Sequence, residues 1–211
     1  MFDLDGTLIR GTSAERLLVP FLLRRGVLGP RQVAAALTTA VKLPIVGRTA
    51  ALRRNKRYLV GLDVDAVREH VRDFLSEILE SRFNGSVVRR LLELRERGYV
   101  VCLLTGAPDF LADAVRRRFE MRDGLGSALE VRDGHYTGRL SGLHYYGEAK
   151  EWGARELARR HHVDLKRSFA FADDATDVPF LDCFGHPVAV EPHPALRRVA
   201  QRRGWEVLGR R

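Results

Sequence analysis

The second half of the chain, from residue 84 onward, alternates short apolar runs with amphipathic helical patterns. The run from Tyr99 to Leu104 is continuously apolar, as in a strand that is buried on both faces. By the same signals we predict a β-hairpin turning at Asp133-Gly134, helices over 86–97, 108–119, 148–161, 178–183 and 194–203, and strands over 99–104, 168–172, 187–190 and 205–208. Strands that alternate with helices build a parallel sheet with helices on both faces. The sequence therefore predicts an α/β fold.

Residues 12 to 82 differ, because the apolar periodicity in this stretch is helical and no strand is evident. We predict helices over 14–25, 31–42, 49–59 and 64–79. A single short strand ending near Asp3 precedes them, so the chain leaves the sheet after its first strand and returns near residue 84. We therefore expect a core domain of residues 1–11 and 84–211, with a helical cap domain of residues 12–83 lying over the end of the first strand.

Two aspartates follow this first strand at a spacing that points to chemistry. Asp3 and Asp5 are separated by one residue, so an extended backbone would direct both side chains to the same side, and Gly6 allows a sharp turn directly after them. Neighbouring carboxylates repel each other unless a cation such as Mg²⁺ lies between them. The pattern, which ends at Thr7, is equally typical of a turn or a helix cap, and taken alone it favours neither interpretation.

Further polar residues follow the other predicted strands. Thr105 and Gly106 come directly after one strand, where a hydroxyl and backbone N–H groups could hold an anion, although Thr105 could simply cap the next helix. Lys150 lies in the first turn of a helix, a poor place for a cation unless an anion is bound there; an exposed surface lysine is the ordinary alternative. The next strand is followed by three acids, whose mutual repulsion a bound cation would relieve: Asp173, Asp174 and Asp177. Ligands bind outside the carboxyl ends of parallel strands, where we expect all these groups to meet.

The chain of 211 residues carries a formal net charge of +9, which favours an anionic partner. Its basic clusters are dispersed and lack interleaved aromatic residues, so we interpret them mainly as solvated helix faces and disfavour nucleic acid as a partner. A phosphorylated small molecule or an anionic membrane surface would satisfy the same charge. The sequence leaves open whether the protein is a monomer or a homodimer.

The two cysteines, Cys102 and Cys183, are too few and too isolated for a disulfide framework or a thiolate metal site, and we expect both in the core. The N-terminus has no signal-peptide pattern, because the acidic motif begins at the third residue. The apolar stretch 17–46 is interrupted by charged residues and prolines, whereas a span needs ~20 consecutive apolar residues. We therefore expect a cytoplasmic protein with no transmembrane segment.

In their order and spacing these motifs resemble the four successive motifs of the haloacid dehalogenase (HAD) superfamily: Asp3-x-Asp5-Gly-Thr7, strand-end Thr105, Lys150, and Asp173 with Asp177 four residues later. The helical insertion between the first and second motifs is similar to a type-1 cap. Its small size resembles the subfamily IB, phosphoserine-phosphatase-like branch. The resemblance covers essentially the whole chain and implies a Rossmann-like parallel-sheet core with a small all-helical type-1 cap inserted after the first strand.

The resemblance also implies a two-step reaction at phosphorus. Asp3 would be the nucleophile that becomes an aspartyl-phosphate, and Asp5 would act first as general acid and then as general base. Mg²⁺ would be bound by the Asp3 carboxylate, the Asp5 main-chain carbonyl and Asp173.

The remaining motif residues would bind the substrate phosphoryl group or support those that do. Thr105 and the Gly106 N–H would hold phosphoryl oxygens, and Lys150 would stabilise the developing charge. Asp177 would orient Lys150 or a water on the metal. The catalytic set implied is thus Asp3, Asp5, Thr105 and Lys150.

Several features depart from the family pattern. Only Met1 and Phe2 precede Asp3, where relatives usually have a longer first strand, so we expect the recorded start to lie inside the natural reading frame. Asp174 stands where Gly or Ser is common, in a role that the sequence does not assign. Phosphoserine phosphatases carry a Glu for the substrate amine where this chain has Thr12, with Glu15 a turn later, which weakens a phosphoserine assignment. The cap residues that could meet a substrate carboxylate are Arg53, Arg54 and Arg57.

Asp5 separates chemistries within the superfamily, because the dehalogenases do not carry this second acid and the ion-pumping ATPases have Thr in its place. The resemblance therefore implies a Mg²⁺-dependent phosphoric monoester hydrolase acting on a small phosphorylated metabolite, with a phosphoserine-like ester as one candidate. A phosphotransferase and a lipid-phosphate phosphatase of the same fold are alternatives. A non-catalytic basic anion-binding module is an alternative from a different class.

Overall fold

The computed structural model describes residues 1–42 and 56–209, without the side chains of residues 37–42. Within these ranges the helices are Ala14–Arg24 (α1), Pro30–Lys42 (α2), Val64–Phe74 (α3), Gly85–Glu96 (α4), Asp109–Arg118 (α5), Glu148–His161 (α6), Val178–Leu181 (α7) and Pro194–Arg203 (α8). The strands are Cys102–Pro108 (β1), Asp123–Ser127 (β2), Leu129–Arg132 (β3), His135–Leu140 (β4), Phe169–Ala172 (β5), His186–Val190 (β6) and Glu206–Leu208 (β7).

The N-terminal residues lie in the middle of a parallel sheet. Phe2 forms parallel bridges to Leu103 of β1 on one side and to Phe171 of β5 on the other. On the outer sides β2 pairs with β1, β6 with β5, and β7 with β6, all in parallel. The order across the sheet is thus β2, β1, the N-terminal segment, β5, β6 and β7. This arrangement confirms the predicted α/β architecture.

Both faces of the sheet are buried, as the continuous apolar runs predicted. Successive residues of the central strands β1, β5 and β6 alternate between two hydrophobic clusters, one on each face. Phe2, Leu103 and Phe171 belong to one cluster, while Cys102 and Ala170 belong to the other. The rings of Phe2 and Phe171 stack with their centroids 4.3 Å apart, which fixes the N-terminal segment against β5. A rigid central sheet therefore supports the residues at its carboxyl edge.

The hairpin β3–β4 forms where the sequence predicts it, and it contacts the helical stretch. Asp133 and Gly134 both have positive φ values, 50° and 76°, as a tight hairpin turn requires. The segment before α3 bonds to this hairpin through its backbone: Gly61 N–H donates to the Tyr136 carbonyl at 2.8 Å, and Tyr136 N–H donates to the Leu62 carbonyl at 2.9 Å. These bonds join the returning end of the helical stretch to the α/β part. The proposed boundaries at 12 and 83 stay a prediction.

Three predicted elements differ from the structure. The strand predicted to begin at Tyr99 begins at Cys102, since Tyr99 and Val100 are partly exposed and lie before the first sheet pairing. The helix predicted over 64–79 is regular only to Phe74 and continues as a π-helical turn over Leu75–Leu79. Of the helix predicted over 49–59, residues 49–55 lie outside the described residues, and these include the candidates Arg53 and Arg54. The described part contains only a single 3₁₀ turn, Arg57–Leu59.

Strand β2 was missed because its sequence, Asp-Gly-Leu-Gly-Ser, lacks the β-branched and aromatic residues that favour strands. Its glycines serve packing. A Cβ on Gly126 would lie 2.8 Å from the Cβ of Ala112, so only glycine lets α5 lie this close to the strand.

Among the residues described, no helix combines the length and the apolar character needed to cross a bilayer. The cytoplasmic location stays a prediction.

Candidate active site

Adjacent parallel strands bring the predicted site residues to one edge of the sheet. Asp3 follows Phe2, the residue that bridges β1 and β5. The Asp3 N–H donates to the Phe171 carbonyl at 3.0 Å, and the Leu104 N–H donates to the Phe2 carbonyl at 2.9 Å. Asp3 and Asp173 directly follow residues that pair in the sheet, and Thr105 lies beside them in β1, just after the last regular pairing of that strand at Leu104. This is the geometry expected for a ligand site in an open α/β sheet.

Lys150 connects two of the acids. Its Nζ lies 2.8 Å from Asp3 Oδ1 and 2.8 Å from Asp177 Oδ2. All three side chains are at most 6% exposed, so the interpretation of Lys150 as a surface lysine is wrong. Burial alone would lower the Lys150 pKa, but the two carboxylates outweigh it and raise the pKa, which keeps the ammonium charged.

The third acid is placed by the turn that follows Asp5. Thr7 Oγ1 donates to Asp173 Oδ1 at 3.2 Å. Gly6 has φ +81°, and a Cβ there would lie 2.0 Å from Asp173 Oδ2. Glycine is thus required both for the left-handed backbone and for the space that the Asp173 carboxylate occupies.

The described residues include one group of acids that could hold a metal ion. Asp3, Asp173 and Asp177 each offer an oxygen within 4.8 Å of the others, and all three residues are buried. Within residues 1–42 and 56–209, the buried Oδ1 of Asp177 has no hydrogen-bond partner. Burial raises the pKa of Asp3 well above its usual range and that of Asp173 to about 6; Lys150 opposes both shifts, while neighbouring acids add to them. Three buried carboxylates beside one ammonium fit a hard divalent cation such as Mg²⁺.

Asp5 has a separate environment from Asp3. Its Oδ1 accepts the Ala14 N–H at 2.8 Å, at the N-terminus of α1. Burial raises the Asp5 pKa to about 6, although the bond from Ala14 acts in the opposite direction. The helix start therefore orients a carboxyl group whose proton is held more tightly than usual, as a proton donor near neutral pH requires.

Thr105 does not cap the following helix, contrary to the ordinary alternative for this residue. Its Oγ1 accepts the Ala107 N–H at 3.1 Å. Both residues lie in 105–107, where the pairing of β1 with β2 is interrupted, and we call this irregular part of the strand the Thr105 loop. The hydroxyl hydrogen of this buried side chain is left for a different acceptor. The loop can thus present one hydroxyl donor at the sheet edge, next to the backbone of Gly106.

Asp174, whose role the sequence left open, acts in local structure. Its Oδ1 accepts the Thr176 N–H at 2.9 Å and the Thr176 hydroxyl at 2.8 Å. It caps the 3₁₀ turn Ala175–Asp177, which places Asp177 beside Lys150.

Sequence reasoning missed a polar cluster close to Asp5. Lys56 Nζ lies 2.5 Å from Glu15 Oε2, and the Tyr58 hydroxyl donates to Glu15 Oε1 at 2.8 Å. Lys56 is buried, whereas the predicted candidate Arg57 is exposed. Glu15 and Lys56 both influence the Asp5 carboxyl electrostatically. No local pattern marks the pair, since the partners are 41 residues apart in the sequence.

Several known proteins resemble this chain in sequence. Residues 1–182 match the model of the haloacid dehalogenase-like hydrolase family. Phosphoserine phosphatase SerB1 of Mycobacterium tuberculosis is 33% identical over 98% of this chain and 68% of its own length. The inhibition of morphological differentiation protein of Streptomyces azureus is 30% identical over 98% of this chain and 76% of its own length.

Two solved structures share the fold at lower identity. A protein of unknown function from Bordetella pertussis Tohama I superposes with a TM-score of 0.82 and 24% identity, over 99% of this chain and 96% of the other. A phospho-aspartyl intermediate analogue of phosphoserine phosphatase superposes with a TM-score of 0.65 and 22% identity, over 100% of this chain and 92% of the other.

Proposed function

Because the chain belongs to the haloacid dehalogenase-like hydrolase family and is a phosphatase of that family, we propose that it hydrolyses a small phosphate monoester through a phosphorylated Asp3 with Mg²⁺ as cofactor. The observation that carries the proposal is the position of Lys150, which lies 2.8 Å from Asp3 and 2.8 Å from Asp177. A buried ammonium held against a carboxylate nucleophile is suited to stabilise negative charge on a phosphoryl group that reaches the same carboxylate.

In the first step, an Asp3 carboxylate oxygen would form a bond to phosphorus while the bond from phosphorus to the ester oxygen breaks. The leaving alkoxide needs a proton, and Asp5 is the acid oriented to give it. In the second step, water would attack the phosphorylated Asp3, Asp5 would take the water proton, and inorganic phosphate would leave. Asp5 then carries its proton again and Asp3 is free of phosphate, so both residues are ready for the next substrate.

Three groups would hold the phosphoryl oxygens during both steps: the Thr105 hydroxyl, the Gly106 N–H and the Lys150 ammonium. Asp177 would orient Lys150, to which it bonds at 2.8 Å. Thr105, Lys150 and Asp177 are almost completely buried, so the surrounding protein holds their side chains in place.

The Asp3 and Asp173 carboxylates, with the Asp5 carbonyl, would hold the Mg²⁺ ion. When bound, Mg²⁺ supplies the positive charge that lets an anionic carboxylate approach an anionic phosphate. Asp177 belongs to the same group of acids, and its Oδ1 has no hydrogen-bond partner in the described part of the chain.

The polar cluster beside Asp5 bears on whether phosphoserine is the substrate. Phosphoserine carries an ammonium group, and a free carboxylate is the natural partner for it. Glu15 is the acid nearest to Asp5 on α1, but it already bonds to Lys56 and Tyr58. We therefore propose a small phosphorylated metabolite and keep phosphoserine as one candidate among esters of sugars, nucleosides and lysophospholipids.

The test is hydrolysis by purified protein with Mg²⁺, using phosphoserine, a sugar phosphate, a nucleoside monophosphate and a lysophosphatidate. Asp3→Asn should abolish phosphate release from every ester that the parent hydrolyses. Asp133→Asn removes an exposed carboxylate in the hairpin turn and is the matched control. Unchanged turnover in Asp3→Asn would refute the assignment of Asp3 as the nucleophile. Transfer to an added alcohol that outpaces hydrolysis would assign the protein as a phosphotransferase.

A further inference from the structure

A buried serine lies behind the Thr105 loop and takes no part in the reaction proposed above. Ser127 ends β2, where it pairs with Pro108 of β1, and its side chain is fully inaccessible. Its Oγ lies 3.0 Å from the Gly106 carbonyl oxygen and 2.9 Å from Nδ1 of His144.

The direction of these two hydrogen bonds can be deduced from the groups involved. A carbonyl oxygen only accepts, so the Ser127 hydroxyl must donate its single hydrogen to Gly106. The contact with His144 then requires Nδ1–H to donate to Ser127 Oγ. This fixes the imidazole with a hydrogen on Nδ1 and gives a continuous chain of donors from His144 through Ser127 to the Gly106 carbonyl.

Ser127 and Thr105 bond to opposite sides of one peptide group. The peptide between Gly106 and Ala107 offers its carbonyl to Ser127 at 3.0 Å and its N–H to Thr105 Oγ1 at 3.1 Å. Rotation of this plane would break both bonds together. The orientation of the Thr105 hydroxyl thus depends on Ser127.

His144 also packs directly on the loop. A Cβ on Gly106 would lie 3.1 Å from His144 Cε1 and 3.2 Å from the Tyr145 carbonyl oxygen, so the segment 144–145 covers the glycine. The His144 ring stacks on Tyr146, with 5.9 Å between centroids. This segment leads into α6, whose first turn carries Lys150. His144 therefore connects the two elements that bear the phosphoryl-binding groups Thr105 and Lys150.

We propose that Ser127 and His144 are positioning residues that hold the Thr105 loop in its phosphate-binding shape. Neither touches the reacting atoms; they act through the Gly106–Ala107 peptide. The inference rests on the proposed function, because it assigns the loop to the phosphoryl group.

The experiment compares four variants for the affinity of inorganic phosphate, for kcat and KM, and for the melting temperature. Ser127→Ala removes both bonds of the hydroxyl. His144→Phe keeps the ring packing but loses the donor, and His144→Asn restores a donor near the position of Nδ1. Ser141→Ala is the control, because Ser141 is an exposed serine beyond β4.

We expect Ser127→Ala and His144→Phe to lower kcat and phosphate affinity by about tenfold or more, as a misplaced binding group does, while His144→Asn and Ser141→Ala stay near the parent. If Ser127→Ala does not fold, the two His144 variants decide, because this side chain is only half-buried. Parental phosphate affinity and kcat in His144→Phe would overturn the proposal and leave the proposed function intact. A parent protein that neither hydrolyses an ester nor binds phosphate would overturn both.

Discussion

Lys150 Nζ lies 2.8 Å from Asp3 Oδ1, and both side chains are almost completely buried. The ammonium also bonds to Asp177, so one positive charge stands among three acids that include Asp173. Such an arrangement is costly to break, because removal of one partner leaves the others charged and without solvent.

Lys150→Met should therefore destabilise the protein and abolish phosphatase activity. Removing one partner of a buried ion pair costs about 3–5 kcal/mol in the free energy of unfolding. Urea unfolding at neutral pH measures the change, with Lys166→Met as the control at an exposed lysine. An equal, small effect of the two substitutions would contradict the central position of Lys150.

Addition of Mg²⁺ should raise the melting temperature of the parent protein. The ion binds the folded state, in which three carboxylates converge, and any ligand with this preference stabilises the fold. Asp173→Asn should weaken the effect, whereas Asp174→Asn should retain it, because Asn also caps a turn and Asp174 does not belong to the group of acids that could hold the ion. A melting temperature that does not respond to Mg²⁺ in the parent protein would count against the metal site.

The position of the site at the carboxyl edge of the sheet was predictable from the sequence. Asp3, Thr105 and Asp173 each follow an apolar run, and the carboxyl ends of parallel strands meet at one edge. Lys150 could be assigned to the same site because a cation in the first turn of a helix is unfavourable unless an anion is bound there. The resemblance implied a contact between Lys150 and Asp177, whereas nothing in the sequence indicated the bond from Lys150 to Asp3.

The supporting contacts were not predictable, because they join distant residues that show no periodic pattern. Ser127 lies on the glycine-containing strand β2, which strand preferences miss, and His144 lies in a segment with no regular structure. Lys56 was passed over for its exposed neighbour Arg57, since burial within a run of basic residues depends on a partner far along the chain. Such residues become visible only when tertiary packing is known.

Gly6→Ala should cost far more than Gly11→Ala, although both glycines have positive φ. A Cβ at Gly6 would lie 2.0 Å from Asp173 Oδ2, whereas a Cβ at Gly11 would meet nothing within 4 Å. Gly11→Ala should cost only the backbone strain of about 1–2 kcal/mol. Gly6→Ala should add displacement of Asp173 and lose Mg²⁺ stabilisation and activity. Unfolding curves with and without Mg²⁺ measure both effects, and similar behaviour of the two variants would refute the close approach.

Cys102 should make the stability depend on pH in the alkaline range. Burial raises the pKa of its thiol to about 11, whereas an unfolded chain has a cysteine pKa of about 8.5. The folded state therefore resists ionisation, so the stabilisation is fully present below about pH 8.5 and is lost as the pH rises toward 11. Linkage gives a loss of about 2 kcal/mol by about pH 10.

Cys102→Ala lacks the thiol and should not show this loss, while all other titrating groups, Cys183 included, remain the same in both proteins. The difference in unfolding free energy between parent and variant should thus narrow as the pH increases. Urea unfolding of both proteins at several pH values between about 7.5 and 10 measures it. A constant difference would mean that the Cys102 thiol ionises as readily in the folded protein as in the unfolded chain, which its burial beneath the N-terminal segment argues against.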